Sequence, residues 1–82
     1  MKLFAIYTLD ESLMQLPLLI KIDEKSSAIA AFQDESNAQL YVRDVLISGK
    51  YEVLELTLDD FNKQRTATRK HSGVDTFIRV FD

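Results

Sequence analysis

Backbone punctuation is scarce in this chain: it holds two glycines and one proline, and each stands at a junction. Gly49 follows an apolar-periodic stretch over 35–48, and Gly73 follows a helix-compatible stretch over 59–71. Helices often end in a left-handed residue, which glycine adopts without a Cβ penalty. Pro17 precedes the run Leu18-Leu19-Ile20-Lys21-Ile22, where proline opens a strand without losing a ladder hydrogen bond. Everything between these marks must be regular structure, so the spacing predicts an alternation of strands and helices.

Side-chain patterning fills in the elements. Residues 2–9 are rich in β-favouring side chains, with Leu3, Ala5 and Tyr7 on one face and Phe4, Ile6 and Thr8 on the other. Apolar residues on both faces predict a strand covered on both sides. A second strand is expected near 17–22, then a turn at Asp23-Glu24-Lys25-Ser26 and a third strand over 28–33. The alanines of that third strand make a helix starting near 26 the competing reading. Asp34 or Ser36 can cap a first helix, whose stripe is Ala38, Tyr41, Val42, Val45 and Leu46. A fourth strand, 51–57, alternates around Leu54, Leu56 and Leu58. Thr57 with Asp60 has capping-box spacing for a second helix over 59–71. That helix has only Phe61 and Ala67 as clearly apolar residues. A last strand spans 75–81. The order β-β-β-α-β-α-β predicts an α+β fold: one mixed sheet with both helices packed on one face, ferredoxin-like in flavour. The third and fourth strands should run parallel, because strand-helix-strand units cross over right-handed.

An 82-residue chain makes a single domain over 1–82, burying roughly 60–65% of the surface its unfolded form exposes. With no cysteine, disulfide frameworks, thiolate chemistry and cysteine-zinc sites are excluded. Small secreted domains usually rely on such staples, so a cytoplasmic location is expected. The opening apolar run is too short for a signal peptide, and no segment reaches membrane-spanning length. The formal net charge of −3 lies wholly within residues 1–41. Positions 63–71, by contrast, hold Lys63, Arg65, Arg69, Lys70 and His71 with no acid.

Two surfaces invite a functional reading. Helices on one face leave Phe4 and Ile6, with Ile78 and Val80, in excess of what the chain can cover. A large exposed apolar face marks an interface, so a homodimer or another protein partner is expected through Phe4, Ile6, Ile78 and Val80. The competing reading has the segment Leu13-Met14-Gln15-Leu16 fold over that face. The second surface is the cationic run Lys63, Arg65, Arg69, Lys70 and His71, the one cluster able to hold an anion or nucleic acid. No aromatic platform interleaves it and the whole chain is acidic, so a helix end matched to its dipole is the leading reading there. The pairs Asp10-Glu11, Asp23-Glu24, Asp34-Glu35 and Asp59-Asp60 sit where caps and turns account for them. His71 lacks a nucleophile or acid partner in the sequence pattern, and no cofactor, metal or catalytic constellation is expected.

The stretch Ala28–Gln64 also carries a likeness. A strand ending in Phe32, the run Gln33-Asp34-Glu35-Ser36-Asn37-Ala38, the helix with Tyr41 and the Leu58-Asp59-Asp60-Phe61 turn resemble a short uncharacterised domain common in cyanobacteria and plastids. The resemblance implies an α+β fold and brings no catalytic residue. The basic helix end and the strand 74–81 depart from that pattern. The function expected is a small, non-catalytic protein-interaction module, with nucleic-acid or phosphate binding through 63–71 as the alternative.

Overall fold

The structure, a computed structural model, describes residues 2–8, 15–46 and 50–82. Its elements are β1 (Phe4–Thr8), β2 (Leu19–Asp23), β3 (Ser26–Phe32), α1 (Glu35–Asp44), β4 (Tyr51–Glu55), α2 (Leu58–Ser72) and β5 (Asp75–Val80). The α+β class and the expected order both hold. The junctions at Asp10-Glu11, Leu13-Met14 and Gly49 lie outside the described residues.

β3 organises the sheet. One of its edges pairs in parallel with β5 from Ser26↔Asp75 to Ala31↔Val80. The other edge is shared: β2 takes its first half, with Leu19↔Ile29, and β1 takes its end, with Phe4↔Phe32 and Ala5↔Ala31. Pro17 stands at the fork, bridging Tyr7, while the Leu18 N–H donates to the Ile6 carbonyl at 2.7 Å. β4 pairs antiparallel with β1 along its length. Hence β3, β4 and β5 share one direction, as the crossover argument anticipates for β3 and β4. The outer strands are β4 and β5.

The alanines that favoured a helical reading of β3 have a packing role. Ala28, Ala30 and Ala31 are at most 1% exposed. Small side chains on a strand covered from both sides let the layers approach closely. The Asp23–Lys25 turn forms as expected, the Lys25 N–H donating to the Asp23 carboxylate at 2.8 Å. Those bonds, with the Ser26 hydroxyl, hold the Asp23 carboxyl below its ordinary range.

The placement of the helices corrects the expectation of one face. Ala38, Tyr41, Val42 and Leu46 from the α1 region pack with Ile6, Ala30, Phe32 and Val53. Phe61 of α2 packs with Ala5, Tyr7 and Ile29. Neighbouring strand residues point to opposite faces, so the two helices lie on opposite sides of the sheet. The reason is directional. The β3-to-β4 crossover runs one way across the sheet and β4-to-β5 runs back. Two crossovers of the same hand in opposite directions use opposite faces. Covering both faces also buries Ile6 completely. In β4 it is Val53, under α1, that is buried, while Leu54 is exposed; Leu58, beyond the strand, opens α2 and is exposed too. Leu54, paired with Ala5, therefore points away from α1.

α1 starts at Asp34, whose carboxylate accepts from the Ser36 N–H at 2.9 Å. α2 has a thin apolar stripe and is fastened instead at its ends. The Thr57 hydroxyl accepts from the Asp60 N–H at 3.0 Å, and the Asp60 carboxylate accepts from the Tyr7 hydroxyl at 2.7 Å. Gly73 closes α2 at φ 68°, its N–H donating to the Arg69 carbonyl. Beneath α2, Gln64 Oε1 and Thr76 Oγ1 are buried without a hydrogen-bond partner among the described residues.

Candidate interaction surface

β5 is a short run of β-branched and aromatic residues, Asp75-Thr76-Phe77-Ile78-Arg79-Val80, released from α2 by the left-handed turn at Gly73. It is pinned at both ends. The Asp75 N–H donates to the Lys25 carbonyl at 3.0 Å and the Phe81 N–H to the Ala31 carbonyl at 2.9 Å. Beyond it, the Asp82 side chain accepts from the Gln33 and Asp34 N–H groups at 2.7 and 2.8 Å and from Asn37 Nδ2 at 3.2 Å. These donors hold the Asp82 carboxyl below the usual carboxylate range, with the Gln33 N–H as the leading cause. A charge-accepting clamp of this kind ties the strand to the start of α1.

Along β5, Phe77 is 53%, Ile78 39% and Val80 42% exposed. Register assigns the faces. Ile78 lies beside Ile29, on the α2 side, so Thr76 and Val80 share that side; Phe77 and Arg79 alternate to the α1 side, while Asp75, at the first position of the strand, turns its carboxylate to Arg69 of α2. Phe81 follows on the α1 side, stacked on Phe32 with ring centres 5.7 Å apart and 6.1 Å from Tyr41. The Arg79 guanidinium sits 5.4 Å above the Phe81 ring. The α2 side has a second apolar feature, a groove lined by Leu3, Leu56, Leu58, Phe61 and Ile78. Leu58, at its rim, is 74% exposed.

Of the residues expected at an interface, Ile78 and Val80 are exposed and share one face. Phe4 is half-buried and Ile6 fully buried, both packed on the opposite face under α1. Phe4 and Ile6 are therefore corrected from surface to core. Sequence reasoning missed Phe77, Arg79 and Leu58. Strand alternation over 75–81 carried no signal for the first two, because exposure on both faces follows from the edge position of β5, which depends on strand order.

The cationic run divides into two stripes on α2. Lys63, Lys70 and His71 line an open groove with Asp59, Asn62 and Thr66, the acid at its N-terminal end. Arg65 and Arg69 lie on the other side, lining a recess of about 260 Å³ with Phe61, Asp75, Thr76 and Phe77. Arg69 donates from Nε and Nη2 to Asp75 Oδ1 at 3.1 and 3.0 Å. Among the described residues no group of histidines and carboxylates converges as a metal site, and no helix is long and apolar enough to cross a membrane.

Comparison with family models, with curated proteins and with solved structures finds no match for this chain.

Proposed function

We propose that this chain is a small cytoplasmic protein-interaction module that acts by binding rather than by catalysis and works as a homodimer through its outer strand β5. The observation that carries the reading is the exposure of Phe77, Ile78 and Val80 on a strand at the sheet edge. An exposed apolar edge strand presents unpaired backbone groups together with apolar side chains, the combination that recruits another chain. Anion or nucleic-acid binding through Lys63, Arg65, Arg69, Lys70 and His71 is disfavoured. Arg69 is engaged by Asp75, and Asp59 lies one helical turn from Lys63 on the same groove.

Sedimentation equilibrium tests the reading. Wild type is expected to sediment as a dimer at micromolar concentration, and an Ile78→Lys, Val80→Asp variant with an unchanged circular dichroism spectrum as a monomer. A monomeric wild type up to near-millimolar concentration would refute it. Salt-sensitive binding to a labelled oligonucleotide, lost when the cations become Glu, would favour the anion-binding reading instead.

A further inference from the structure

We infer that β5 pairs antiparallel with β5 of a second copy, in a register centred on Phe77; this rests on the dimer reading above and specifies its contact. Backbone direction narrows the choice first. Asp75 and Phe81 donate their N–H groups to β3, so odd-numbered residues of the strand face inward across the ladder. Thr76, Ile78 and Val80 therefore turn their N–H and C=O groups to the open edge, since these directions alternate along a strand. In an antiparallel partner, outward residues must meet outward residues. A two-fold axis can then pass only through a residue position, never between two.

Charge selects among those positions. Centring on Phe77 sets Asp75 opposite Arg79 of the second copy, and by symmetry Arg79 opposite its Asp75. Shifting the centre by one residue breaks both pairs, placing Asp75 opposite Phe77 or Phe81. In the favoured register the two Phe77 rings face each other on the α1 side, flanked by the two ion pairs. These are the non-hydrogen-bonded positions, where side chains approach most closely. Thr76 and Ile78 exchange the backbone bonds, and Val80 meets Val74. Asp75 holds Arg69 through one carboxylate oxygen and keeps the other for this contact. Both Arg69 bonds go to Oδ1, Oδ2 has no partner among the described residues, and the carboxylate and Arg69 are each more than half exposed. Among the described residues Arg79 is held over the Phe81 ring alone. The opposite edge is unsuited to self-pairing, because β4 carries Glu52 and Glu55 and no cation.

The absence of native cysteine gives a clean test. Non-hydrogen-bonded pairs stand about 4.5 Å apart at Cα, within the roughly 4.4–6.8 Å that a disulfide spans. F77C is expected to form a disulfide-linked dimer rapidly under mild oxidation, and L58C, a more exposed control, to do so slowly. In a second arm, D75R and R79D are each expected to dimerise about tenfold more weakly, from like charges placed opposite. The D75R/R79D double variant is expected to recover wild-type association. Circular dichroism and denaturant midpoints confirm that each variant folds. A dimeric wild type whose F77C crosslinks no faster than L58C, with no rescue by the double variant, overturns the register and leaves the dimer. A monomeric wild type overturns both.

Discussion

Removing the Tyr7 hydroxyl should unfasten α2 from the sheet more than its size suggests. α2 offers little apolar area, and Tyr7 reaches Asp60 in its first turn at 2.7 Å. Tyr7 is 2% exposed, and its partner is a carboxylate, so the bond belongs to the stronger, charge-assisted class at about 1.5–3 kcal/mol. In Tyr7→Phe the freed carboxylate is half-buried and can recruit water, which sets the expected loss near the low end, about 1.5 kcal/mol. Asp60→Ala is the harsher change. It strands a buried hydroxyl, about 1–3 kcal/mol, and removes an acid from a helix N-terminus, about 0.3–1 kcal/mol. Urea unfolding checks both. With an m-value of about 1 kcal/mol/M for a domain this small, the Tyr7→Phe midpoint should fall by about 1.5 M. The pH dependence adds a second readout. Desolvation first, then the Asp60 hydrogen bond and charge, push the Tyr7 phenol well above its ordinary value of 10.0. Above pH 10 the unfolded chain releases this proton and the folded one keeps it, so wild-type stability should decline there through this group. Tyr7→Phe should lose that part of the decline. A Tyr7→Phe midpoint within error of wild type, or an Asp60→Ala loss smaller than that of Tyr7→Phe, would refute the reasoning.

Gly73→Ala at φ 68° meets no atom within 4 Å of the added Cβ, so its cost is backbone strain alone, about 1 kcal/mol, readable as a lowered thermal midpoint. Thr76→Val replaces a buried hydroxyl without a partner by an apolar isostere and should raise stability by about 1 kcal/mol in urea unfolding. Asp82→Asn should loosen the tie between β5 and α1, seen as faster amide exchange at Gln33 and Asp34. Because the folded carboxyl titrates low, the wild-type advantage should be present above the unfolded pKa and fade as pH falls through the folded value.

Local chemistry was the legible part of this fold. Gly73 as a left-handed stop, Asp34 and Thr57 as caps, and the turn at Asp23 each follow from residues adjacent in sequence. What stayed hidden depends on partners far along the chain. The side on which α2 docks follows from β5 crossing the sheet to pair with β3, and no local pattern encodes strand order. Phe4 and Ile6 looked surplus only on the assumption of one covered face; with α1 above them they are core. Asp60 read as a capping acid, and its bond to Tyr7, 53 positions away, has no sequence signature. Ile78 and Val80 were singled out on the same one-face assumption as Phe4 and Ile6; they are exposed because β5 lies at the sheet edge, a position no local pattern encodes.

The parallel seam between β3 and β5 has a kinetic consequence. It joins segments whose clamped ends, Gln33 and Asp82, stand 49 positions apart, and such closure is entropically costly before any contact rewards it. β1, β2 and β3 can associate through nearer neighbours, so β5 is expected to dock late. Until it does, the outer edge of β3 is bare, and another molecule can pair there as readily as the chain's own strand. Refolding yield should therefore fall with protein concentration, and a yield independent of concentration would contradict late docking. The strand proposed to meet a second copy is also the lid on the most adhesive edge of the sheet.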